Sequence, residues 1–133
     1  MNVRCYCSQL RAATRRLGAA YDAALAPLGV NIAQYSLMSL IQRHQPVSLT
    51  ELGRMAELDR STVGRNVRVL ERMGLAKPGR GEIDQREAVV SLTKRGVQVL
   101  AEATPIWESC QSDLASRLGS TGVDALHEVV RKV

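Results

Sequence analysis

Asp59-Arg60-Ser61-Thr62-Val63-Gly64-Arg65-Asn66-Val67-Arg68-Val69-Leu70-Glu71-Arg72-Met73-Gly74 is the stretch on which the fold turns. Asp59 carries the side chain that accepts from the free amides opening a helix, and Gly74 suits the position that closes one. Wound at about 100° per residue from Ser61, Arg65 falls near 40°, Arg68 near −20° and Arg72 near 20°. Val63, Val67, Leu70 and Gly74 gather around roughly 200°, with Met73 nearer 120°. One side of this helix is apolar and must dock on a protein body. The other is a stripe of serine and arginine.

Working outward, Ser48-Leu49-Thr50-Glu51 has the spacing of a capping box, and it opens a short helix that reaches about Glu57. After Gly74 the period changes. Leu75-Ala76-Lys77 and Glu87-Ala88-Val89-Val90-Ser91-Leu92 read as strands joined by a turn-rich, exposed tip from Pro78 to Arg86. Two short helices joined by a tight turn and followed by a hairpin make a winged helix-turn-helix. Further out, apolar residues from Ser8 to Leu28 recur at steps of three and four, and Asn31 caps a second helix to about Arg43, ended by Gln45-Pro46. Thr93 caps a fifth helix, which Pro105 is expected to kink or restart before Leu118-Gly119; Ser120 or Thr121 caps the last one. The expected fold is mainly α with a small β-hairpin wing, one domain over residues 1–133, with the winged helix-turn-helix at 31–104.

Composition narrows the function. The chain has 133 residues, 18 basic and 13 acidic, for a net charge of +5. Fifteen of the basic residues are arginine and three are lysine (Lys77, Lys94 and Lys132), a bias that suits bidentate contact with phosphate. Aromatic residues make up 3%, too few for a face that stacks single-stranded bases. No run of about 18 apolar residues could span a membrane, and Met1-Asn2-Val3-Arg4-Cys5-Tyr6-Cys7 lacks a signal-peptide core, so a cytoplasmic location is expected. The nucleophile-elbow, phosphate-loop and zinc-peptidase motifs are all missing, and no cofactor is expected.

Double-stranded DNA is the expected partner. Ser61, Thr62 and Arg65, early on the second helix of the motif, are candidates for base edges in the major groove. Arg68 and Arg72 are better placed for phosphates, Arg60 joins the same contact set, and Gly64 would let DNA come close to the backbone. Arg80 and Arg86 stand on or beside the hairpin tip, where a long cation can enter the minor groove, and Asp84 can orient Arg86. Residues 54–95 hold ten basic and six acidic side chains. A charged helix face is by itself often only a solvated face. The basic wing beside it favours DNA. The rival is a non-catalytic helical dimer whose basic face meets an acidic protein partner, and a DNA reader would differ from it by steep salt dependence with sequence preference.

The runs Leu58-Asp59-Arg60-Ser61-Thr62-Val63, Leu70-Glu71-Arg72-Met73-Gly74-Leu75, Asp84-Gln85-Arg86 and Leu92-Thr93-Lys94-Arg95-Gly96 resemble the MarR family of transcription regulators, and the likeness extends from Tyr21-Asp22 to Pro105-Ile106-Trp107. The resemblance implies a homodimer on a palindromic operator, a repressor responding to a small molecule or oxidant, with residues 1–30 and 105–133 supplying the dimerisation helices. Cys5 and Cys7 stand at the start of the first helix, where amides and the neighbouring Arg4 and Arg11 favour a thiolate. Within the family, Cys7 resembles the reactive cysteine of organic-hydroperoxide regulators, Tyr21 a tyrosine of their thiol pocket, and Cys110 a second cysteine on the fifth helix. Arg11 and Ile32 stand where those regulators carry further tyrosines. Two other readings of the cysteines stay open: inert buried thiols with a small-molecule pocket elsewhere, or a metal or metalloid thiolate site. No zinc spacing is present, and His44 and His127 are isolated.

Overall fold

The computed structural model describes residues 5–133. Helix α1 spans Tyr6–Leu25 and tightens into a single 3-10 turn, Ala26–Leu28, where Pro27 fits the missing amide of a first turn. Helix α2 spans Ile32–His44, followed by strand β1 at Val47–Ser48, helix α3 at Leu49–Ala56 and helix α4 at Arg60–Arg72. Strands β2 (Ala76–Arg80) and β3 (Ala88–Leu92) form the hairpin, and helix α5 covers Lys94–Lys132. The architecture is the expected one, mainly helical with a small antiparallel wing.

Local chemistry explains the element ends. The complete capping box is at α2, where Asn31 accepts from the Gln34 amide at 2.8 Å and Gln34 accepts from the Asn31 amide at 3.0 Å. The expected box at α3 is half formed. Ser48 accepts from the Glu51 amide at 3.0 Å, but the Glu51 carboxylate turns to Arg54, one helical turn on. At the end of α4, Gly74 (φ 76°) and Leu75 send their amides back to Glu71 and Leu70, closing the helix in a Schellman arrangement.

Three further differences have physical reasons. The sheet has three strands in the order β1-β3-β2, because Val47 and Ser48 pair with Val90 and Val89; two residues are too short to show a period. Strand β2 runs through Pro78 to Arg80, which an edge strand tolerates, so the tip shrinks to residues 81–87. Helix α5 passes through Pro105 without a break, so the proposed boundary at 104/105 falls inside one helix. Its only non-helical residue is Gly119 (φ 71°, ψ 168°), a conformation that glycine adopts without strain.

Leu25, Met38, Ile41, Leu52, Val63, Leu70 and Val90 fill the centre of the core with at most 1% exposure. Each such side chain contributes about 1.5–3 kcal/mol relative to leaving it in water. Cross-links reinforce the packing: the Tyr35 and Trp107 rings stack at 5.7 Å, and the Ile32 amide donates to Asp22 at 2.8 Å. The Gln45 side chain accepts from the Leu92 amide at 2.8 Å and ties the end of α2 to β3.

Candidate nucleic-acid interface

Helix α4 is held against the body by Val63, Val67 and Leu70, none more than 2% exposed. Its orientation is fixed where it meets α3. A Cβ on Gly53 would sit 3.0 Å from the Leu58 carbonyl and 3.4 Å from Val63, so a side chain there would press on the turn and glycine suits the close approach. With the apolar side buried, Ser61, Arg65, Arg68 and Arg72 are all exposed on the opposite side.

The start of α4 is a small hydrogen-bonded network. Asp59 accepts from the Thr62 amide and from the Ser61 hydroxyl, both at 2.8 Å. Those donors, the Thr62 amide first, hold the Asp59 carboxyl below the usual aspartate range. Ser61 therefore spends its proton on the cap and meets an external group as an acceptor. Arg65 donates to the Thr62 hydroxyl at 3.3 Å, and Arg60 reaches back to Thr50 on α3, also at 3.3 Å. Gly64 does not leave the opening expected of it: it is buried, and the Arg68 guanidinium lies 3.5 Å from where a Cβ would stand.

The wing tip is folded tightly. The Gly81 amide donates to Glu87 and the Glu87 amide to Asp84, each at 3.0 Å. Asp84 also accepts from the Arg86 backbone amide at 3.0 Å and from its guanidinium at 3.3 Å. The expected orienting pair is therefore formed, with the Arg86 side chain 93% exposed. Arg80, at the end of β2, is exposed as well.

The cysteines do not form one site. Cys5 stands at the N-cap position of α1 without a side-chain capping bond, and Cys5 and Cys7 are both exposed. The Ser8 amide and hydroxyl, then the Cys7 amide, hold the Cys5 thiol below its ordinary value. Arg4, the other expected influence, lies outside the described residues. Tyr21 is 14 residues beyond Cys7 on one helix, about 21 Å along its axis, so one chain does not bring the two together. Tyr21 instead joins Cys110. Its hydroxyl donates to Gln111, and it lines an α1–α5 cleft of about 240 Å³ with Cys110, Asp113 and Arg117. Burial first, and the nearby Cys110 second, raise the Tyr21 hydroxyl above its ordinary value. Among the described residues, no group of three or more His, Cys, Asp or Glu is arranged to hold a metal ion.

A family model described as the MarR family matches residues 28–87, which take in α2, β1, α3, α4, β2 and the wing tip. The crystal structure of the M. tuberculosis transcriptional regulator MosR in complex with DNA is 30% identical, superposes with a TM-score of 0.80, and aligns over 97% of this chain and 98% of that one. The chain belongs to the MarR family. As a MarR-family member it is a transcription regulator and not an enzyme. It is 28% identical over 100 residues to the organic hydroperoxide resistance transcriptional regulator of Bacillus subtilis (strain 168), covering 75% of this chain and 68% of that protein. The S. aureus MepR–DNA complex, 19% identical with a TM-score of 0.86 over 98% of this chain and 96% of that one, shares the MarR-family fold. No single helix among the described residues is long and apolar enough to cross a membrane.

Sequence reasoning missed two features of this surface. Thr50 enters through its bond to Arg60, a contact between helices that no spacing announces. Asn66 flanks the arginine stripe and escapes a reading that looks for charge. The capping-box spacing of Asn31 and Gln34 was the available signal for the region facing it.

Proposed function

We propose that this MarR-family chain is a homodimeric, sequence-specific reader of double-stranded DNA, acting in the cytoplasm as a repressor on a palindromic operator. The carrying observation is that α4 buries Val63, Val67 and Leu70 while leaving Ser61, Arg65, Arg68 and Arg72 exposed. In this reading Thr62 and Arg65 face base edges, with Ser61 accepting from them, and Arg60, Arg68 and Arg72 meet phosphates. Arg86, steered by Asp84, enters the minor groove beside Arg80. The DNA complexes of MosR and MepR support docking through this fold.

Dimerisation rests on the helical ends. Leu118, Leu126 and Val129 are each about two-fifths exposed, Val130 is 72% exposed, and Leu10 on α1 is 47% exposed. A second copy covering these side chains would set the two α4 helices one DNA turn apart, roughly 34–36 Å. Control of affinity is assigned to the thiols or to a small molecule in the α1–α5 cleft. Cys5 is the first thiolate to meet an oxidant, with Cys7 beside it, and the name of the B. subtilis relative supports that direction. A dimer would also allow Cys7 of one protomer to approach Tyr21 and Cys110 of its partner.

Selection of bound duplexes from random DNA, under reducing and oxidising conditions, tests the whole reading. One enriched palindrome, lost on oxidation in the wild type and retained by Cys5→Ser, is the expected result. Uniform recovery of all sequences, or strong binding to an acidic protein without any duplex preference, would reject it.

A further inference from the structure

Directly after α4, Gly74 and Leu75 meet the first turn of α5 at Thr93 and Gly96. The Thr93 hydroxyl donates to the Gly74 carbonyl at 2.7 Å and accepts from the Gly96 amide at 3.0 Å. An amide can only donate, so the one hydroxyl proton is committed to Gly74. The Thr93 amide in turn donates to the Leu75 carbonyl at 3.1 Å. That carbonyl is also closed in by Gly96, where an added Cβ would overlap the Leu75 oxygen outright. Leu75, Leu92 and Gly96 are all buried around the joint.

Capping α5 needs only the bond from Gly96. The bond to Gly74 has a different effect: it ties the end of α4 to the start of α5. Direct packing between those two helices is sparse, so this joint relates their positions. Gly74 and Leu75 also send their amides back to Glu71 and Leu70, at 3.0 and 2.9 Å. A shift of either carbonyl is therefore passed to the last turn of α4 instead of being absorbed in a loop. We propose that Thr93 is a positioning residue for DNA reading, its hydroxyl bond to Gly74 fixing how α4 is set on α5 and hence which half-site spacing a dimer accepts. This rests on the dimeric DNA-reading function above and deepens it. In the proposed dimer the two α4 helices are related through the helical ends, so whatever sets α4 on α5 in each protomer sets the distance between them. One base pair more between half-sites moves them about 3.4 Å apart and turns them by about 35°. Thr93 itself meets no base; it acts through Gly74.

The test uses the full chain and the palindrome recovered by selection, with its half-sites at the selected spacing or one base pair further apart. Thr93→Asp keeps an oxygen to accept from the Gly96 amide, so α5 stays capped, but a carboxylate has no proton for Gly74. Thr93→Ser keeps both bonds. The extra base pair is expected to weaken the wild type and Thr93→Ser about thirtyfold, and Thr93→Asp about threefold. Taking the ratio of the two duplexes cancels any uniform effect of the added charge. A base change inside one half-site should cost all three proteins the same, because α4 itself is intact. Thr93→Val, which loses both bonds, should show the same relaxed ratio with a thermal midpoint lower by about 3–6 °C. A wild-type spacing ratio in Thr93→Asp, or loss of base preference together with spacing preference, would overturn the positioning role while leaving the DNA reading intact. So would unfolding of both Thr93→Asp and Thr93→Val beside a stable Thr93→Ser, which would give the hydroxyl a part in folding only. Failure of the wild type to enrich any palindrome would sink the DNA reading itself, and this inference with it.

Discussion

Removing the guanidinium from the wing, as Arg86→Ala, separates charge from orientation in a measurable way. The Arg86 side chain is 93% exposed, and its partner among the described residues is Asp84, which accepts from both the backbone amide and the guanidinium. Exposed pairs of this kind add little to folding stability, so the fold should be unaffected. On DNA the loss is electrostatic. Each phosphate neutralised contributes about 0.9 to the slope of log affinity against log salt, so deleting one cation from each of the two wings of the proposed dimer lowers that slope by about 1.8. Between about 50 and 200 mM salt the variant should then lose roughly tenfold less affinity than the wild type does. Asp84→Ala gives a different signature. It leaves the cation but frees it, and holding a loose side chain costs about 0.5–1.5 kcal/mol per wing, with the salt slope maintained. Because Asp84 acts through Arg86, the double variant should be no weaker than Arg86→Ala alone. Fluorescence anisotropy titrations at five salt concentrations would measure all of this. An unchanged slope in Arg86→Ala, or an undiminished Asp84→Ala penalty in the Arg86→Ala background, would refute the wing contact.

Four further outcomes are expected. Glu57 sits in the left-handed region (φ 55°) at the turn between α3 and α4, so Glu57→Gly should raise stability by about 0.5 kcal/mol in urea unfolding, the relieved strain slightly exceeding the entropy of glycine. Asp59, Glu51 and Glu128 all have carboxyls held below their ordinary values by hydrogen-bond donors. Stability from such groups is complete above the unfolded-chain values and is lost as pH falls through the folded ones, so the thermal midpoint should drop between about pH 5 and 3, less steeply in Asp59→Asn. Alkylation by iodoacetamide near neutral pH should be fastest at Cys5, and Cys5→Ser should remove the fast phase; a fast phase that survives would move the thiolate elsewhere. Val130→Glu should shift sedimentation toward a monomer while α4 remains folded by circular dichroism.

How much of this was legible in the chain depends on whether neighbours in sequence or in space decide the feature. The α4 helix, its Asp59 cap, its Gly74 stop and its buried valines all follow from local spacing, and each is found where the sequence puts it. The Asp84–Arg86 pair, two residues apart, was also readable. The strand Val47–Ser48 was not, because β3 creates it by pairing. Pro105 misleads because a proline costs a helix one bond and some crowding, which a well-packed neighbourhood overcomes; Ala103, close by, is wholly buried. Gly64 misleads because the occupant of its space is Arg68, one turn ahead on the same helix. The start of α1 lies two residues earlier than the apolar steps from Ser8 indicate, because Tyr6 and Cys7 extend the helix without adding to its apolar side.

The continuous course of α5 through Pro105, as far as Gly119, has a mechanical result. From Lys94, two residues past the end of β3, to the interruption at Gly119, it is a rod of roughly 37 Å at 1.5 Å per residue. Tilting such a lever by about 5° at its far end carries the near end some 3 Å, close to the rise of one base pair. In the proposed dimer, a chemical event near Gly119 would therefore need only a small pivot to put the two α4 helices out of phase with the duplex.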